Sequence, residues 1–141
     1  MDDRKRELKG SETRDAFKHW HKTGHRSFYG CDMDFVLVEK CPPGIAAVVD
    51  YKKPGDRITF SEVIAYNALL DAGTPVYIIE SGNLQRFTVY EYMGGDPKPE
   101  PPLAELRTVL LNGTEADYWQ WENALRMRYR NAAKYAQRKS S

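Results

Sequence analysis

Apolar positions along the chain change period several times, and each change predicts an element. In "SETRDAFKHWHKTG" (11–24) Phe17 and Trp20 recur at helical spacing, Ser11 or Thr13 can cap the first turn, and Gly24 stops the run. A helix with both rings facing inward is expected. "CDMDFVLVEK" (31–40) and "GIAAVVDYKK" (44–53) are β-rich runs separated by "CPPG", which predicts an antiparallel hairpin with a proline-stiffened loop. In "TFSEVIAYNALLDAG" (59–73) Thr59 and Glu62 have the spacing of a capping box, and Val63, Leu69 and Leu70 with Ala65 and Tyr66 supply apolar faces before Gly73 ends the helix. "TPVYIIES" (74–81) is nearly all apolar, as a strand buried on both faces would be, whereas "QRFTVYEY" (85–92) alternates as a more exposed strand does.

The order is helix, strand, strand, helix, strand, strand, with room for a short first strand at "HRSFYG" (25–30). A strand, crossover helix and parallel strand over 45–80 form a βαβ unit, so the sheet must mix parallel and antiparallel pairs. "MGGDPKPEPPLA" (93–104), rich in Pro and Gly, reads as an extended connector. A short helix near 103–111 and a long one from Thr114 complete the chain. The expected organisation is a charged, flexible N-terminus (1–10), an α/β core (11–92), a connector (93–102) and a C-terminal helical extension (103–141) packing on that core.

With 141 residues, 41% hydrophobic and 12% aromatic, the composition suits one globular domain and is too apolar for a disordered chain. No stretch approaches the roughly 20 apolar residues of a membrane helix, and "MDDRKRELKG" lacks the apolar centre of a signal peptide, so an intracellular, cytoplasmic protein with no membrane partner is expected. Cys31 and Cys41 have no partners that would suggest a zinc site or disulfide framework, and both read as reduced packing residues. "NGT" at Asn112 reads as a turn. The net charge of +1 hides an uneven distribution. Residues 31–99 carry ten acids against six bases, residues 1–30 carry eight bases against five acids, and 126–139 hold six bases and no acid.

The chemistry concentrates at "VVDYKKPGD" (48–56). Side chains alternate along a strand, so Asp50 and Lys52 share a face while Tyr51 takes the other, and Asp32 and Asp34 likewise share a face on the preceding strand. If the two strands pair with their carboxylates meeting, Asp34, Asp50 and Lys52 gather at one edge of the sheet. Two aspartates suit Mg²⁺, which takes one or two protein carboxylates and keeps water and substrate phosphate around the rest of its shell. Such an ion lowers the pKa of a bound water and neutralises charge on a phosphate. Lys52, held protonated by its acidic neighbours, can orient that water or stabilise the transition state. The competing reading is a solvated strand end running into the turn "KPGD".

This arrangement resembles the PD-(D/E)xK nuclease superfamily with its restriction-endonuclease-like fold. The residues that carry the likeness are Asp34 in "DMDFVLVE", Asp50 and Lys52 in "VVDYK", the helix at 59–72 and the strand "PVYIIE". The resemblance covers about half of the chain, residues 11 to about 80. Met33 stands where the family often has proline, and Asp50 where it more often has glutamate. The resemblance implies an αβββαβ core in a mixed central sheet, with C-terminal helices added. It implies a Mg²⁺- or Mn²⁺-dependent hydrolase cutting the phosphodiester bonds of nucleic acid, with DNA the expected substrate. It also implies metal binding by Asp34, Asp50 and the main-chain carbonyl of Tyr51. A further acid from the first helix would be Glu12 or Asp15, with Glu12 favoured. A polar residue from the helix after the lysine would be Glu62, Tyr66 or Asn67, with Glu62 ranked last because helix capping already explains it.

On the last helix Arg126, Arg130, Lys134 and Arg138 recur every four residues and form one stripe, while Tyr118, Trp121, Leu125, Tyr129 and Ala132 follow core spacing. The basic stripe could follow phosphates, or be a solvated face on which Glu122 pairs with Arg126. His25 and Arg26 precede the acidic strand closely enough to reach a substrate phosphate. His19 and His21 face different directions and read as surface residues. Trp119 and Trp121 could stack on bases, although packing explains them as well. One site cuts one strand, so double-strand cleavage would call for a homodimer. The alternative from another class is an inactive module of the same fold that binds nucleic acid or a protein partner.

Overall fold

The computed structural model describes residues 3–24, 33–97 and 106–140, and in the first and last helices the side chains of 12–24, 115–134 and 136. The chain divides into two units, Met1–Asp32 and Met33–Ser141. The first contains helix α1 (Asp3–Gly24), which begins well before Ser11, so residues expected to be a flexible N-terminus are helical from Asp3. Phe17 and Trp20 pack on each other with ring centroids 5.7 Å apart, as i, i+3 neighbours on a helix do. Both rings are exposed, contrary to their expected inward orientation, because side chains 12–20 of this helix are exposed all round. The expected strand at 25–30, with Cys31 and Asp32, lies outside the described residues.

The second unit is built on a five-stranded sheet in the order β1 (Phe35–Lys40), β2 (Pro43–Lys52), β3 (Val76–Glu80), β4 (Arg86–Tyr92), β5 (Arg107–Thr114). Strands β1 and β2 form the expected antiparallel hairpin. Helix α2 (Phe60–Asp71) carries the chain from β2 to β3, which run parallel. The β3/β4 and β4/β5 pairs are antiparallel, so the sheet is mixed. Helix α3 (Glu115–Ser140) follows β5 directly.

Alternation along β2 and β3 sorts the core into two layers. Val48 and Ile78 face α2 and pack with Val63 and Tyr66 of that helix, with Ile58 before it, and with Val76, Tyr92 and Leu106. Val49 and Ile79 face the other way, onto Phe87, Val89 and Tyr118 of α3. Ala47 and Tyr77 meet Leu125 of the same helix, and the Trp121 indole meets Tyr77 edge-on at 5.0 Å. Burying a Val, Ile or Leu side chain contributes about 1.5–3 kcal/mol, so these two faces hold the helices to the sheet far more strongly than helix propensity does.

Local signals end the helices where the sequence says they should. Thr59 accepts the Glu62 amide while Glu62 accepts the Thr59 amide, a complete capping box. At the other end Gly73, at φ +87°, turns the chain so that its amide bonds the Leu70 carbonyl and that of Thr74 the Leu69 carbonyl. Thr114 and Asp117 cap α3 in the same reciprocal way. A Cβ on Gly113 would come within 2.5 Å of Asp117 Oδ2, so only glycine fits there.

Three expectations change. Residues 107–114 form a strand where a helix was expected over 103–111, because "RTVLL" offers a β-branched, pleated edge that pairs along the whole of β4. Asn112 sits in β5 opposite Thr88 instead of in a turn. Cys41 is exposed and free, and so is not a packing residue. Among the described residues no helix is long and apolar enough to cross a membrane.

Ile58 is 1% exposed and pins the segment between β2 and α2. Ile58→Ala should therefore lower the unfolding free energy by about 2–5 kcal/mol, measured by chemical denaturation. A loss under about 1 kcal/mol would mean that this anchor is not needed.

Candidate functional site

The parallel β2/β3 pair and α2 bring four ionisable side chains and one phenol together. In the β1/β2 ladder the last pair is Phe35 with Val49, and one step beyond it Asp34 falls opposite Asp50. The Asp34 carboxylate also accepts the Tyr51 amide at 2.7 Å, which fixes it against the end of β2. Asp50 is 3% exposed and faces α2, where the Tyr66 hydroxyl donates to it. Lys52, two residues on and on the same face, meets Glu62 with Nζ 2.6 Å from Oε2, the two side chains being 14% and 10% exposed. The Tyr66 hydroxyl lies 3.0 Å from that same Glu62 oxygen. Tyr51 turns to the other side, where its hydroxyl donates to the Ser81 carbonyl.

The electrostatics follow from crowding. Burial, hydrogen bonding to the Asp34 and Glu62 carboxyls and the charge of Asp34 together push Asp50 up to about 8, against a smaller opposing pull from Lys52. Glu62 moves the other way. Its burial is outweighed by the Lys52 ammonium, the Thr59 amide and the hydrogen bond from Asp50, which hold its carboxyl below the usual range. At neutral pH the group therefore holds two carboxylates, one ammonium and a protonated Asp50 that can donate to either neighbour. Ionising Asp50 would add a second uncompensated negative charge to the group, at a position only 3% exposed to water.

Asp34, Asp50 and Lys52 thus share one site, with the Tyr51 main chain at its edge. Glu62 is the member that sequence reasoning ranked last. Its capping oxygen Oε1 bonds the Thr59 amide, and the other oxygen is free to hold Lys52 and Tyr66. The signal is a capping residue ten positions beyond the lysine of the strand, although capping alone also accounts for it.

Other expected site residues go elsewhere. Tyr66 is fully buried, so it holds carboxylates and cannot be a surface contact to nucleic acid. Asn67 spends its amide inside the protein, donating to the Gly95 carbonyl at 2.8 Å and accepting from the Tyr92 hydroxyl at 2.7 Å. Arg126 is clamped by both oxygens of Glu39, at 2.5 and 3.1 Å, and not by Glu122. The Arg126 guanidinium holds the Glu39 carboxyl down to about 2, so this arginine ties α3 to β1 and leaves the basic stripe. Arg130 is half-buried and Lys134 exposed, while the Arg138 side chain, His25 and Arg26 lie outside the described residues. Glu12 and Asp15 are exposed on α1, in the first unit. Trp121 packs in the core, and Trp119 is half-exposed with its indole N–H 3.3 Å from Glu115. Among the described residues no three His, Cys, Asp or Glu side chains form a ready-made metal cage.

Compared with family models, curated proteins and solved structures, the chain shows no match.

Asp50 binds its proton more tightly in the folded protein than in the unfolded chain, whose value is near 3.8. Its contribution to stability is therefore complete below about pH 4 and is lost as pH rises through about 8. In chelator-treated protein the thermal midpoint should fall as pH rises from about 5 to 8, and Asp50→Asn should flatten that slope. An unchanged slope in the variant would place the titration in another group.

Proposed function

We propose that this protein is a metal-dependent nuclease whose centre is the Asp34, Asp50, Lys52 and Glu62 cluster, within a core of the restriction-endonuclease-like kind. The observation that carries the reading is the buried Asp50 carboxyl with the exposed Asp34 carboxylate beside it and an ammonium two residues along the same strand face. Strand topology supports it as well: a β1/β2 hairpin, a helical crossover and a parallel β3 follow one another in the order that the resemblance implies.

The residues fit a hard divalent cation. Mg²⁺ or Mn²⁺ needs only one or two protein carboxylates, the remaining positions going to water and substrate oxygens. The pair offers two, in a place where Asp50 otherwise keeps a proton to avoid adding a second net negative charge. Asp34 and Asp50 would hold the ion, with the Tyr51 carbonyl a further oxygen at the same edge. When bound, such an ion supplies a water of lowered pKa and neutralises charge on the scissile phosphate.

The chain's own groups then have separable tasks. Asp50 must give up its proton for the site to bind a cation, and the Tyr66 hydroxyl holds its carboxylate in place when it does. Lys52 presents an ammonium to the attacking water and to the charge developing on phosphate. Glu62 fixes the direction of that ammonium and, because it also caps α2, couples lysine position to the start of the helix. DNA is the proposed substrate, and a homodimer would be needed to cut both strands of a duplex. A cluster that binds nucleic acid without cutting it is the outcome the competing reading requires.

The test is incubation with plasmid, linear and branched DNA in Mg²⁺ or Mn²⁺. Wild-type protein should cut at least one of these, and Asp50→Asn, Asp34→Asn and Lys52→Ala should each reduce cutting by about 100-fold or more while circular dichroism shows the fold intact. Mn²⁺ should also raise the thermal midpoint of wild type near pH 8, but not that of Asp50→Asn. The absence of both cutting and a carboxylate-dependent shift would end the enzyme reading.

A further inference from the structure

Beside the acidic cluster, on the same face of the sheet, lies a second polar group. Lys52 pairs with Glu80 in the parallel β2/β3 register, two residues after Asp50 pairs with Ile78. Ile78 faces α2, so Glu80 does too, one strand across from Lys52. Tyr90, opposite Ile78 on β4, packs on that same face and its hydroxyl donates to Glu80 Oε1 at 3.3 Å. From β5 the Arg107 guanidinium lies over the Tyr90 ring, 3.8 Å from its centroid, with NH1 3.5 Å from Glu80 Oε2. Both side chains are 11% exposed. Neither Arg107 NH1 nor Glu80 Oε2 makes a hydrogen bond, despite being buried.

A buried ion pair whose facing atoms are too far apart to hydrogen-bond gives a poor return on its desolvation. An arginine serving only stability would be expected to close the bidentate geometry that Arg126 makes with Glu39. Here the ring fixes the guanidinium plane while the carboxylate holds it loosely, which leaves the fork able to exchange partners.

We infer that Arg107 is a contact for a backbone phosphate next to the scissile one, with Glu80 holding its guanidinium until nucleic acid replaces the carboxylate. The inference rests on the nucleic-acid reading of the neighbouring cluster, and names a substrate contact from β5, outside the half of the chain that carries the catalytic residues. Glu80 competes with phosphate, so the two members of the pair act on binding with opposite sign.

The test is fluorescence anisotropy of a short fluorescein-labelled DNA duplex in EDTA, so that no cutting is needed for a signal. Arg107→Gln should weaken binding about tenfold and reduce the slope of log affinity against log salt by about 0.9. Glu80→Gln should tighten binding severalfold, and Arg107→Lys should keep the salt slope. Wild-type affinity and slope in Arg107→Gln, or equal weakening by both neutral variants with matched losses of thermal midpoint, would reduce the pair to a structural one. If Arg107→Gln does not fold, Glu80→Gln decides: unchanged or weaker binding overturns the contact. Wild-type protein that fails to bind the duplex overturns it too. DNA cutting with no effect of Arg107→Gln on binding defeats this inference alone, whereas the opposite-sign pattern without any cutting defeats only the nuclease reading.

Discussion

Asp50 is held where its charge is least welcome. It sits at the end of a buried parallel strand pair, facing a helix, with Asp34 opposite and Glu62 beyond. A carboxyl in that position must keep its proton, surrender it to a cation, or be replaced by something apolar. The neighbourhood is arranged around the first two options: Tyr66 donates to it, Lys52 lowers the cost of ionising it, and Glu62 keeps both of those groups pointed inward. Replacing such a cluster with packed hydrophobic groups would often cost nothing in stability. Folding alone therefore does not require it, whereas the proposed cation site would.

The fold delivers that cluster through three devices of different range. The capping box at Thr59 and Glu62 is local and fixes where α2 begins. The β1/β2 register is of medium range and puts Asp34 against Asp50. The parallel β2/β3 pairing is of long range and seats Ile78 and Val76 under α2, so that Tyr66 reaches the carboxylates from above. Glu62 belongs to the first device and to the site at once. The start of α2 and the direction of the Lys52 ammonium cannot vary independently.

On the opposite face of the sheet α3 does a different job. Its apolar stripe, Tyr118, Trp121 and Leu125, covers Phe87, Tyr77 and Ala47, and Arg126 reaches across to a buried glutamate on β1. A basic helix face thereby becomes partly structural. The charge pattern that suggests a phosphate ladder in sequence includes at least one rung that is spent on holding the helix in place.

The sequence by itself determined whatever depends on neighbours in the chain. Alternation placed Asp50 and Lys52 on one side of a strand, the Thr59 and Glu62 spacing fixed a helix start, Gly73 its end, and the "CPPG" break made a hairpin of the two β-rich runs. These are legible because each rests on a few consecutive residues and on backbone geometry. Tertiary structure alone decided what depends on distant partners. Whether "RTVLL" would be helix or strand hinged on the free edge of β4. Glu39 as the mate of Arg126 lies 87 residues away in sequence, and no helical spacing could point to it. Tyr66 and Asn67 look the same in sequence as residues that face solvent, yet one is buried against carboxylates and the other is tied to Gly95 and Tyr92. Glu62 shows the boundary between the two: one of its oxygens obeys a local rule that sequence can read, while the other binds a lysine brought in by the sheet.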